Sequence, residues 1–198
     1  MAQTILYPFT EETFNESTAE KVAMIKALQK SGEVNPLCVV DKEGKISKLL
    51  KKERLGFEVV PVAKQVYPND FYFKALFILM TTTLGQFTCF RTHKIQAMHC
   101  FDLESLMMWG NAAKMYRVPY FLTLDDMPKA GKLASLLITD ARSVACAGES
   151  VIARLPRFAK KKAVLSPDGQ ECLPFWTERY NLLSKPFSFT QSTGLLNK

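Results

Sequence analysis

His99 and Asp102 stand three residues apart at the end of an apolar run, residues 94–101. An imidazole has an ordinary pKa near neutrality, so it suits proton handling at a polar ligand. Two readings stay open for His99: a partly buried histidine bonded to backbone, and a polar contact or proton-handling group for a sugar. Asp102 offers a carboxylate to an acceptor at the same strand end. Asp125 and Asp126 follow a second apolar run, Tyr120–Leu124. A carboxylate there either bonds sugar hydroxyls or caps the next helix. Asn15, in the loop TEETFNEST, offers an amide to a polar acceptor. His93 lies among basic residues and reads as a solvated loop residue.

Other chemistries find little support. No GxGxxG follows an apolar run and no GxxxxGKS occurs, so the usual phosphate-cradling loops are missing. The first loop holds Glu11, Glu12 and Glu16 and no glycine, which argues against a phosphate there. Ser105 has no GxSxG setting. Two histidines without paired cysteines give no reason to expect a metal site. Cys38, Cys100 and Cys146 fall inside apolar runs and read as small buried hydrophobes of a reducing compartment. Phe175 and Trp176 follow Pro174, and two uses are open: stacking on a ring, or packing the chain end onto the domain.

These residues need elements to hold them. Short apolar runs alternate with helical patterns along all 198 residues. Strands are expected at 4–9, Val34–Val40, 57–62, 94–101, Tyr120–Leu124, 143–147 and Ala163–Leu165. Helices are expected at 18–31, 46–54, 69–90, 103–116, 129–139 and 149–158. In the first helix Val22, Ile25 and Leu28 recur at helical spacing and Gly32 can end it. Pro36 confines the start of the second strand to an edge or an irregular entry. Such alternation implies an α/β fold: a single Rossmann-like domain with a mostly parallel sheet of about seven strands and helices on both faces. Ligands of such sheets bind beyond the carboxyl ends of the strands, where His99, Asp102, Asp125 and Asp126 all fall. The domain is expected over 1–170, with 171–198 a tail or the start of a second domain.

Hydrophobic residues make up 47% of the chain, enough for a buried core, and its net charge is +7. The charge is spread along the chain, with clusters at Lys45–Arg54 and Arg154–Lys162 that read as solvated helix faces or ends. A nucleic-acid partner ranks lowest, because basic and aromatic residues do not interleave. The stretch 71–90 has about the length of a membrane span. Lys74, three threonines and a glutamine interrupt it, so a buried or membrane-surface helix is expected. The absence of a signal peptide and the cysteine usage suit a cytoplasmic protein.

The stretch KIQAMHCFDLESLMMWGNAAKMYRVPYFLTLDDM, followed by SVACAGESVIARLPRFAKKKAVLSPDGQE, resembles family-4 GT-B glycosyltransferases. The shared order is a strand ending in a histidine loop, a helix, a pre-strand proline, a strand ending in a polar pair, and a Ser/Glu helix start. The resemblance covers residues 94–171; the first half agrees mainly in element order. It implies two facing Rossmann-like domains, with this chain as the N-terminal, acceptor-side one. It implies a catalytic role for His99 near the transferring sugar, acceptor contacts at Asp125 and Asp126, and a cleft-facing helix start at Glu149 and Ser150. It further implies a nucleotide-sugar donor, with no tightly bound cofactor. The acceptor would be a glycan or a lipid-linked sugar, which a basic, peripheral membrane surface would suit. The chain departs from the family in its glycine-free first loop, in Gly148, in Asp168 and in Gln170 with Glu171. The donor half is expected to come from a second domain or partner chain. A different reading is a non-catalytic Rossmann-like binding or assembly module.

Overall fold

The computed structural model describes residues 2–62, 67–70, 84–166 and 172–181. Seven strands form one sheet: β1 Gln3–Phe9, β2 Val34–Val40, β3 Phe57–Val59, β4 Ala97–Cys100, β5 Tyr120–Leu124, β6 Ser143–Cys146 and β7 Ala163–Leu165. Every pairing is parallel, in the order β3-β2-β1-β4-β5-β6-β7. The order reverses between β1 and β4, the place where open parallel sheets form a crevice.

Alternate side chains serve opposite faces of the sheet. Leu6, Val39, Met98, Leu122 and Val144 point to one face. Helices α3 (Leu84–Thr92), α4 (Leu103–Met115), α5 (Lys132–Asp140), α6 (Glu149–Arg154) and α7 (Arg157–Lys160) cover it. Ile5, Tyr7, Cys38, Ala97, Phe121 and Ala145 point to the other. There lie α1 (Ser17–Lys30), α2 (Lys45–Lys52) and α8 (Cys172–Asn181). Burial on both faces explains why the strands read as apolar runs without polar alternation. Gly32, at φ +76°, turns the chain out of α1.

Prolines set several boundaries. Pro36 sits opposite Ile5 of β1, while β3 pairs with Cys38–Val40, so among the described residues one side of the early β2 is an edge, as expected. The third strand is shorter than expected: the Val60 N–H still donates to Val40, but Pro61 has no N–H to continue. The helix expected over 149–158 is two helices. Pro156 forces Leu155 into an extended conformation (ψ 153°) and breaks it there. Of the helix expected over 69–90, residues 71–83 lie outside the described residues. Among the described residues no helix is long and apolar enough to cross a membrane.

The first loop is held by its own acid. The Glu11 carboxylate accepts from the backbone N–H groups of Lys45 and Ile46 at 2.8 Å and of Ser47 at 3.3 Å. It thereby satisfies three free donors at the start of α2. Gly44 makes room, since a Cβ there would strike that carboxylate. Glu11→Ala should cost about 1.5–3 kcal/mol in urea unfolding, the worth of charge-assisted bonds to backbone amides. Gly44→Ala should cost a similar amount by expelling the same group. An unchanged midpoint in both variants would show that the contact holds nothing.

Candidate functional site

The carboxyl edge of the sheet is bound to α1 by a polar chain. The Lys21 ammonium, on a side chain only 13% exposed, meets Asp125 Oδ2 at 2.7 Å. It also lies 3.5 Å from the Phe101 carbonyl and 5.9 Å from the centre of the Phe101 ring. The Ser17 hydroxyl lies 2.8 Å from Asn15 Oδ1 and 2.9 Å from Asp125 Oδ2. Asn15 Oδ1 also accepts from Thr18. These contacts organise the entry to α1 and fix the loop after β5.

Behind them opens a cavity of about 700 Å³. Ser17, Glu20, Lys21 and Met24 of α1 form one wall. Phe101, Thr123, Asp125, Ala147 and Ser166, from the ends of β4 to β7, form a second. Leu173 and Trp176 of α8 form the third. An aromatic and aliphatic floor with a few convergent polar groups at its rim suits a small polar ligand with one apolar face.

His99 lies beneath this floor. The strand end is where sequence expects it, but the imidazole is 0% exposed, which corrects its expected place at the rim. Its Nδ1 lies 2.6 Å from the Tyr180 hydroxyl and its Nε2 2.8 Å from Thr123 Oγ1. The Tyr7 hydroxyl donates to Tyr180 at 3.2 Å. Trp176, at 4.1 Å between ring centres, and Phe101, at 4.5 Å, close over the ring. Burial, reinforced by the Lys21 charge, pushes the His99 pKa down to about 3. The ring is therefore neutral at physiological pH, and its hydrogen bond toward the cavity lining runs to the Thr123 hydroxyl.

The other expected residues fall in different places. Asp102 caps α4: its Oδ1 accepts from the Ser105 N–H at 2.6 Å, and its Oδ2 lies 3.0 Å from the Thr13 hydroxyl. Asp126 is exposed, accepts from the Met127 N–H and meets Arg154 at 3.2 Å. Glu149 and Ser150 are exposed in the first turn of α6. The fold thus joins Asn15 and Asp125 through Ser17, and leaves Asp126, Glu149 and Ser150 outside the cavity wall. Sequence reasoning passed over Lys21 and Thr123. Ser17, Glu20, Lys21 and Met24 share a helical face by spacing alone. Thr123 is the one polar residue inside the run YFLTL.

No family model matches this sequence, and no curated protein matches it either. Solved structures do. MurG of Acinetobacter baumannii superposes with a TM-score of 0.61 at 18% identity, over 84% of this chain and 47% of that one. A glycosyltransferase of Rickettsia africae gives 0.64 at 11% identity, over 91% and 50%. HepE of Anabaena, in complex with UDP and glucose, gives 0.57 at 15% identity, over 83% and 44%. The fold is that of a GT-B-like domain. This chain spans about half the length of those three proteins.

Proposed function

We propose that this chain is the acceptor-side domain of a glycosyltransferase, and that the cavity between α1, the strand ends and α8 holds the acceptor sugar. The observation that carries the reading is the cavity itself. Its rim offers Asp125, Lys21 and Ser17 for sugar hydroxyls, over an apolar floor backed by the buried Phe101 and Trp176. Its location beyond the carboxyl ends of β4 to β7 is where ligands of such sheets sit. The donor is a nucleotide sugar held by a second domain or partner chain, in keeping with the half-length match and with the UDP seen in HepE. His99 acts here as a positioning residue: it holds the Thr123 hydroxyl and the Trp176 ring at the cavity floor.

Ligand-detected NMR on the full chain tests this. A panel of mono- and disaccharides should give binding that Asp125→Asn weakens about tenfold, the loss of one charged hydrogen bond. UDP-glucose should not bind the chain alone. Binding of UDP-glucose instead of the saccharides would overturn the acceptor-side assignment. The enclosure of His99 favours a second reading, a sugar-binding module without catalysis. Saccharide binding without transfer, when a donor-binding partner and UDP-glucose are supplied, would establish that reading.

A further inference from the structure

Away from the cavity, Glu58, Cys89 and His93 converge at the β3 edge of the sheet. Glu58 is the middle residue of β3, and its register partner Val39 points to the face that α3 covers. Cys89 and His93 are four residues apart at the end of α3, and the His93 N–H still donates to the Cys89 carbonyl at 3.0 Å. That spacing stacks both side chains on one face of the turn. His93 Nε2 lies 3.0 and 3.1 Å from the two Glu58 oxygens. One ligand atom from each of the three residues lies within 4.8 Å of the others. Cys89 is 4% exposed at the base, while the His93 and Glu58 side chains are 29% and 45% exposed.

We propose that Glu58, Cys89 and His93 form a zinc site that ties the end of α3 to the edge strand. A tetrahedral zinc with bonds of about 2.0–2.3 Å separates this set of ligand atoms by about 3.3–3.6 Å, so the Cys89 sulfur needs to close by about 1.3 Å at most while the His93–Glu58 pair opens by a few tenths of an ångström. One thiolate, one imidazole and one carboxylate suit zinc. The sulfur argues against magnesium or calcium, which take oxygen. The exposed side of the trio leaves the fourth position to water. Binding replaces the thiol proton with a Zn–S bond and releases that proton to solvent. Sequence spacing hides the site, because Glu58 precedes His93 by 35 residues and the pair Cys-x-x-x-His is short of a zinc motif. This site is independent of the sugar-transfer reading, and either can fail alone.

Cobalt titration of the chelator-treated full chain reads the site directly. One equivalent of Co²⁺ should bind with a thiolate-to-metal charge-transfer band, and Zn²⁺ should displace it. Cys89→Ser should abolish the band. Glu58→Gln at an exposed position and His93→Gln at a half-buried one should each weaken cobalt binding at least about tenfold, as loss of a ligand does. Absence of the band in the wild-type chain would overturn the proposal. So would a band that survives Cys89→Ser, or affinity unchanged by both glutamine variants.

Discussion

Between pH 6.5 and pH 4.5 the protein should lose stability through one side chain, and His99→Gln should remove that loss. The His99 ring has its pKa lowered to about 3 in the folded chain, from an ordinary value of 6.5. An unfolded chain therefore binds one more proton than the folded one within that window. Stability is complete above the unfolded value and falls as the pH drops toward the folded one. The slope approaches about 1.4 kcal/mol per pH unit, and the whole shift is worth of the order of 5 kcal/mol. The ring is 0% exposed, so solvent does not discount the effect. Lys26 holds Glu53 below its usual range, while burial raises Glu104 and gives it the opposite sign. Subtracting the His99→Gln profile from the wild-type one cancels both. Glutamine keeps a donor and an acceptor for Thr123 and Tyr180 and titrates nothing. Urea midpoints from pH 7.5 down to 4.5 are the measurement, and equal slopes in the two proteins would refute the assignment.

That effect shows where reading the sequence stops. The β-α alternation was visible because each strand is a short apolar run closed by a turn, and local composition carries that signal. Tyr120–Leu124 and Ala163–Leu165 match residue for residue. The placement of His99 at the end of β4 was equally local. Its enclosure was not, because the lid comes from α8, and Tyr180 is 81 residues away. In α8, Trp176 and Tyr180 recur at i and i+4, yet Pro174 and the charged residues Glu178 and Arg179 mask the helical face. The strand-end position of Asp125 is legible in the sequence, but its partner Lys21 lies 104 residues earlier. Capping by Asp102 is a local signal, legible in Asp-x-x-Ser before an apolar helix. Local pattern therefore specified the elements and their ends, while the pairing of distant side chains set what each group can do.

Trp176→Ala should be the most damaging single substitution around the cavity. The indole is 1% exposed and packs on His99 at 4.1 Å, Phe175 at 4.9 Å, Tyr180 at 5.9 Å and Phe121 at 6.0 Å between ring centres. Its removal deletes the largest side chain that α8 buries, and a Trp-to-Ala change of this kind costs about 3–5 kcal/mol. The consequence goes beyond stability. Tyr180 and Trp176 together exclude water from His99, so a chain lacking the indole admits solvent to the ring. The His99 pKa should then climb from about 3 toward its ordinary 6.5. The His99 imidazole NMR resonances of the variant should titrate near neutrality, while the same resonances of the wild type stay fixed down to pH 5. The two effects are coupled: a hydrated His99 no longer resists protonation, so the acid-dependent loss of stability should disappear in the same variant. Trp176→Phe separates packing from exclusion, because a smaller ring restores part of the cover. Its stability and its His99 titration should both fall between the wild type and alanine. Full stability of Trp176→Ala together with a His99 that still does not titrate down to pH 5 would mean that something other than α8 keeps the ring dry.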